Sequence, residues 1–183
     1  DHPSFGTAVV GRVLEAAGYR GRNAPVYIQS FETGNLRELR RRTDLPLIQL
    51  LEIAGQPFDL IAAGDARTYR DLATPEGLAE IATYADGIGP NKRLIVPIGT
   101  DGGLQPPTSL VADAHRAGLL VHAWTFRSDG PFLGQGAEPR LSRIGLLLRT
   151  LRLGEDVDVV IRNRGHSRIP TWPSRRTGST GRV

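Results

Sequence analysis

The sequence contains no cysteine and no methionine. The first absence excludes disulfides, thiolate nucleophiles and zinc–thiolate centres, while leaving the redox compartment open. The second absence, with Asp1 at the start, leads to the expectation of a processed chain or a piece of a longer one, and a piece is favoured. No apolar run approaches the roughly 20 residues that a membrane-spanning helix requires. The first residues do not show the pattern of a secretory leader either. Acidic residues are missing from 162–183, where six arginines stand (Arg162, Arg164, Arg168, Arg175, Arg176 and Arg182). The formal net charge of +4 therefore comes from this tail, because the remainder sums to 4 − 6 = −2. A basic tail on a slightly acidic body argues against nucleic acid as a partner of the whole domain. Several chemical signatures are absent as well: H-E-x-x-H, G-x-S-x-G, and paired carboxylates at metal-site spacing.

What is present is ordinary for a globular protein. The chain has 183 residues, 39% of them apolar and 23% charged, enough for one buried core. Residues 8–17 carry Val9, Val10, Val13, Leu14 and Ala17 at near-helical spacing, and Gly18 ends that helix. Pro25 precedes a short strand over 26–30. Thr33 is placed to cap a helix reaching Arg42, with Leu36 and Leu39 inward and a basic outer face. A second strand covers 46–51, and 54–72 is a mixed, glycine-containing insertion. Thr74-Pro75-Glu76 opens a helix running to about Tyr84, with a cap, proline in the first turn and an early acid. A very short strand or turn at 86–90 and a further extended piece at 94–98 follow. A helix over 108–117 ends at Gly118, and Leu119–Val121 is an almost wholly apolar strand, as expected of a parallel strand covered on both faces. A helix over 141–153 and a strand over 157–161 complete the pattern, and the basic tail reads as disordered. Strand and helix alternate, which argues for about four parallel βα units, an α/β fold.

The candidate site residues gather at strand ends, where barrels and open α/β sheets present their ligand-facing groups. Ile28-Gln-Ser-Phe-Glu32 is either a strand end with a capped helix or an edge from which Gln29 and Glu32 face a substrate. Gln49 on the next strand could match Gln29 on the same edge, since glutamines orient ligands by hydrogen bonding. His122 and Trp124 alternate and so share a face. Trp124 is either a core aromatic or a flat wall for a sugar, glycerol or choline-like group. His2, His115 and His166 read as structural or solvated. Gly87-Ile-Gly89 with Lys92 hints at a phosphate cradle but matches no established phosphate-loop spacing.

Three segments together resemble the C-terminal half of the glycerophosphodiester phosphodiesterase family. They are Val26-Tyr-Ile-Gln-Ser-Phe-Glu32, Tyr84-Ala-Asp-Gly-Ile-Gly-Pro90 with Lys92, and Leu110-Val-Ala-Asp-Ala-His-Arg-Ala-Gly-Leu-Leu-Val-His-Ala-Trp-Thr-Phe-Arg127. With the intervening Leu45-Pro-Leu-Ile-Gln-Leu50, their order and spacing match the longer, often exported branch, most clearly over 1–132. The resemblance implies a TIM (β/α)8 barrel, here only its C-terminal part, strands five to eight, over 1–161. It implies metal-dependent hydrolysis of glycerophosphodiesters to sn-glycerol 3-phosphate and an alcohol. Calcium or magnesium, held by carboxylates, polarises the phosphoryl group while a histidine pair moves the proton. The residues that carry over as substrate-binding are Gln29, Phe31 and Trp124, with Lys92 and Arg127 beside them. A periplasmic or secreted location follows from the same branch.

The sequence departs from that family at both ends. The His-Arg-Gly, Pro-Glu-Asn, Glu-x-Asp and His-Asp motifs that hold metal and catalysis in the family do not occur here. His2-Pro3 resembles the turn just after the last metal-binding glutamate, with Asp1 where the family has lysine. Val157-Asp-Val-Val-Ile-Arg162 keeps strand character but loses the family's glycine and following acid. A frame change or fusion is the expected origin of the arginine-rich end. The chain alone is therefore expected to bind no metal, to be inactive, and to need a missing barrel half or self-association to cover its inner layers. The alternative is a non-catalytic glycerophosphate-binding or interaction module derived from the same barrel.

Overall fold

A sheet of four parallel strands in the order β1-β2-β3-β4 organises the chain. A computed structural model describes residues 5–124, with side chains from residue 9 onward. The expected helix over 141–153, the strand over 157–161, the tail and Arg127 lie outside the described residues. The elements are α1 (Phe5–Ala16), β1 (Ile28–Ser30), α2 (Thr33–Arg40), β2 (Leu47–Leu51), α3 (Phe58–Ala62), α4 (Tyr69–Leu72), α5 (Pro75–Ile81), β3 (Gly87–Pro90), α6 (Lys92–Ile95), α7 (Leu110–Arg116) and β4 (Leu120–Val121). Each strand is hydrogen-bonded to its sequential neighbour, with helices in every connection. This is the parallel α/β succession that the alternating pattern predicts, and it is consistent with the partial barrel that the resemblance implies.

The core lies between the sheet and its helices. Ile28, Leu47, Leu51, Ile88 and Val121 face Leu36 and Leu39 of α2, Leu78 and Ile81 of α5, and Val111 and Ala114 of α7. Side chains as buried as Leu36 and Leu39 each contribute about 1.5–3 kcal/mol. Below the sheet, Asp86 fastens α2, β2 and the loop between α1 and β1 together. Its carboxylate accepts from the Arg40 guanidinium at 2.5 Å, the Leu47 N–H at 2.9 Å and the Arg22 guanidinium at 2.7 Å.

Local signals explain most boundaries. The Thr74 hydroxyl accepts from Gly77 N–H and Pro75 stands at the first position of α5, as its sequence predicts. Gly18 and Gly118 both take positive φ just past α1 and α7, which a side chain would strain. Three expectations need correction. Thr33 is the first residue of α2 and not its cap; its hydroxyl instead donates to Asp59 at 2.9 Å. The basic face of α2 is anchored, with Arg37 4.1 Å above the Tyr84 ring and Arg40 on Asp86. The piece at 94–98 begins as helix, because the Asn91 side chain accepts from Arg93 N–H and starts α6; only then does the chain extend, to an antiparallel bridge between Ile98 and Leu104. The mixed insertion resolves into α3 and α4, the latter started by a reciprocal capping box between Thr68 and Asp71.

Candidate functional site

Side chains alternate across a strand, so register decides which residues share a face. Gln29 pairs with Ile48, Ile48 with Gly87, and Gly87 with Leu120. That row, with Leu50 opposite Gly89 one step further on, faces away from the helices. Tyr27 and Phe31 flank Gln29 on the same face by alternation. The face is partly open: Gln29, Tyr27, Phe31 and Leu120 are exposed.

The sheet curls around this face. In a flat sheet the outermost strands would lie three spacings, about 14 Å, apart. Yet the Tyr27 ring beside β1 meets His122 just after β4 edge-on, with centroids 4.5 Å apart. Glycines on the strand between make this possible. A Cβ on Gly87 would lie 2.7 Å from the Leu120 carbonyl oxygen, and one on Gly89 would lie 2.5 Å from Leu50 Cδ2. Neighbouring strands and side chains close in where those two positions have no bulk.

At the strands' C-terminal ends the curl brings aromatics together. The Phe31 ring stands edge-on to Trp124 at 5.7 Å and to Tyr69 at 6.0 Å. The Trp124 indole N–H donates to the Gly89 carbonyl at 2.6 Å, which fixes the ring's tilt over β3. The Lys92 N–H donates to the Trp124 carbonyl at 2.8 Å, so the start of α6 sits beside the same ring. Burial raises the Tyr69 phenol above its usual range, and the charges of Glu32, Asp59 and Glu52 push it the same way. These carboxylates have structural duties. Glu52 accepts from Asn91 Nδ2 at 2.8 Å and from Ile53 N–H at 2.7 Å, and Asp59 accepts from Thr33 and the Gly34 N–H at the start of α2. Such an edge suits the carbon face of a small polyol, with polar groups arrayed around it.

Of the residues read from the sequence, Phe31 and Trp124 meet, Gln29 shares their face, and Lys92 adjoins them along the rim. Gln49 does not join this edge. It pairs with Ser30, one step out of phase with Gln29, and so points into the helix layer, fully buried. There its Nε2 donates to the Phe31 carbonyl at 2.9 Å and the Ser30 carbonyl at 3.3 Å, while its Oε1 accepts from the Tyr84 hydroxyl at 3.0 Å. Gly87 and Gly89 form no phosphate cradle. They are inner-face strand positions where backbones and side chains approach closely. His122 shares the face of Trp124, as alternation requires, but is buried against Tyr27 and not on the rim. Tyr69, Glu52 and Asn91 were missed. Glu52 and Asn91 lie just past β2 and β3, a positional signal that could have found them.

The family model of the "Glycerophosphoryl diester phosphodiesterase family" matches residues 4–159. The chain is 33% identical over 127 residues to glycerophosphodiester phosphodiesterase GDPD6 of Arabidopsis thaliana, a match covering 66% of this chain and 33% of the plant protein. Similar relatives are the glycerophosphodiester phosphodiesterases of Treponema pallidum, 26% identical over 136 residues, and Haemophilus influenzae, 27% identical over 132 residues. Each of those matches covers 64% of this chain and 36% or 35% of the relative, so the chain spans about a third of the length of the relatives it matches. A TIM-barrel family, a curled parallel sheet and an aromatic strand-end edge agree, and the chain belongs to the glycerophosphoryl diester phosphodiesterase family.

Proposed function

We propose that this chain supplies the glycerol-binding edge of a metal-dependent phosphodiesterase that cleaves glycerophosphodiesters to sn-glycerol 3-phosphate and an alcohol. The observation that carries the proposal is the Phe31–Trp124 contact at the C-terminal ends of parallel strands in a chain of this family. Phe31 and Trp124 wall the glycerol carbons, Gln29 offers an amide to its hydroxyls, and Lys92 and Arg127 favour the phosphate. The described residues do not fit the calcium or magnesium that the resemblance implies: they contain no cluster of three or more acids, histidines or cysteines able to hold an ion. On this reading, metal and proton transfer belong to a segment other than the described one. The same segment, or a second copy, would cover the inner face on which Tyr27 and Leu120 lie open. The assignment of 1–161 to the barrel and 162–183 to a separate tail is part of this reading. So is an exported location, which rests on the likeness to the longer branch; no helix among the described residues is long and apolar enough to cross a membrane.

Two measurements test the proposal. The chain is incubated with glycerophosphocholine and calcium or magnesium, and release of glycerol 3-phosphate is followed; none is expected, and turnover would refute the division of labour. Glycerol 3-phosphate binding is then read by tryptophan fluorescence. Phe31→Ala should weaken it about tenfold, equivalent to about 1.4 kcal/mol. Binding unchanged in Phe31→Ala and Trp124→Phe would remove the edge from the site. Metal-independent binding, with no turnover even when a relative's N-terminal segment is added, would point to the binding-module alternative.

A further inference from the structure

We propose that the groove between the β2–α5 and β3–α7 connections is a second subsite, built for a phosphate monoester carried on an apolar or ring-shaped body. The groove has a volume of about 520 Å³, and its lining includes Ile53, two positions past β2, and Arg93 and Leu94, just past β3. That is the size range of small-molecule sites, roughly 300–1,000 Å³. Its walls include Ile53, Leu94, Pro97 and Ile98, and two arginines, Arg70 and Arg93, line it.

The arginines carry the inference. Several other arginines among the described residues are ion-paired: Arg37 and Arg67 share Glu80, Arg40 holds Asp86, and Arg116 holds Asp113, while Arg12 and Arg20 have no ion pair among those residues and do not line this groove. Arg70 and Arg93 have no ion pair among the described residues, although they line one groove. Arg70 is held in place by its Nε–H, which donates to the Ile53 carbonyl at 3.2 Å. Its terminal guanidinium N–H groups remain for a ligand. Arg93 uses only its backbone N–H in the fold, on Asn91 Oδ1. The groove's hydroxyls do not compete, since Thr108 donates to the Leu94 carbonyl and Ser109 to Asp113. Two arginines lining one groove favour an anion there, and the planar fork matches phosphate oxygens better than any other side chain does. The apolar walls would hold the carbon body. Resting on the diesterase reading above, this makes the preferred substrate a glycerophosphodiester whose alcohol side itself bears a phosphate.

The test uses the 183-residue chain and phenyl phosphate as probe, with binding followed by calorimetry at low and high salt. Phenyl phosphate should bind tighter than about 1 mM, weaken as salt rises, and outcompete benzoate and inorganic phosphate. Arg93→Gln alone, whose side chain holds nothing else in the described fold, should weaken it several-fold. The Arg70→Gln/Arg93→Gln pair should weaken it at least tenfold, with the circular dichroism spectrum unchanged. No phenyl phosphate binding, or binding untouched in the double variant, overturns the subsite. A preference for benzoate overturns the phosphate assignment, and equal affinity for inorganic phosphate overturns the role of the walls. Phenyl phosphate bound normally by Phe31→Ala, alongside lost glycerol 3-phosphate binding, supports two separate subsites. If glycerol 3-phosphate never binds while phenyl phosphate does, the diesterase reading fails and the groove stands.

Discussion

The buried contact between Tyr84 and Gln49 links the helix layer to the aromatic edge, and removing one oxygen atom tests it. Tyr84→Phe keeps the ring and therefore its stacking beneath Arg37 at 4.1 Å. It deletes only the hydroxyl that donates to Gln49 Oε1 at 3.0 Å. Gln49 is 0% exposed, so no water replaces the lost donor. A buried acceptor left without a partner costs about 1–3 kcal/mol, and that is the expected loss of stability in urea unfolding followed by circular dichroism. Burial raises the Tyr84 phenol far above its ordinary range, so it remains a donor through neutral and moderately alkaline pH. The difference between the variants should accordingly stay flat from about pH 6 to 9. Gln49→Leu removes the acceptor and also the donor to the Phe31 and Ser30 carbonyls, so it should cost at least as much. The double variant should cost less than the two single ones summed, because once the amide has gone the phenol has no partner to lose. A Tyr84→Phe variant within about 0.3 kcal/mol of the parent, or strict additivity with Gln49→Leu, would refute the reasoning.

Other variants probe the curl, the latch and a helix start. Gly87→Ala places a methyl against the Leu120 backbone and should cost about 1–3 kcal/mol, whereas Gly89→Ala meets the movable end of Leu50 and should cost less; comparing their midpoints of thermal unfolding checks the order. Asp86→Ala strands the mostly buried Arg40 guanidinium and the Leu47 N–H, an expected loss of about 3 kcal/mol in urea unfolding. The Asp71 carboxyl is held below its usual range, first by the Thr68 hydroxyl and then by the Thr68 N–H. A lowered folded value means that its contribution is fully present above the unfolded value of about 3.9 and is lost as pH falls through the folded one. Amide exchange at the start of α4 should therefore speed up below about pH 4 in the parent but show no such acid transition in Asp71→Asn.

Much of this protein could be read locally. The Thr74-Pro75-Glu76 start of α5, the glycines past α1 and α7, and the alternation of apolar strand with amphipathic helix follow from single-residue chemistry within a few positions, so the order of elements and the parallel sheet were legible. Trp124 was legible as a strand-end aromatic for the same reason, whereas Phe31 entered only through the family resemblance. Faces were not. In β2 the residues Leu47, Ile48, Gln49 and Leu51 are all buried, because a parallel strand is covered on both sides, and its composition carries no alternation to show where Gln49 points. Register against β1 and a phenol 35 residues further on decided it. The curl was decided the same way: two glycines on one strand let Tyr27 meet His122, residues almost a hundred positions apart. Sequence determined which side chains this protein has to offer at its strand ends. Only the long-range register, set by packing between distant segments, determined which of them meet.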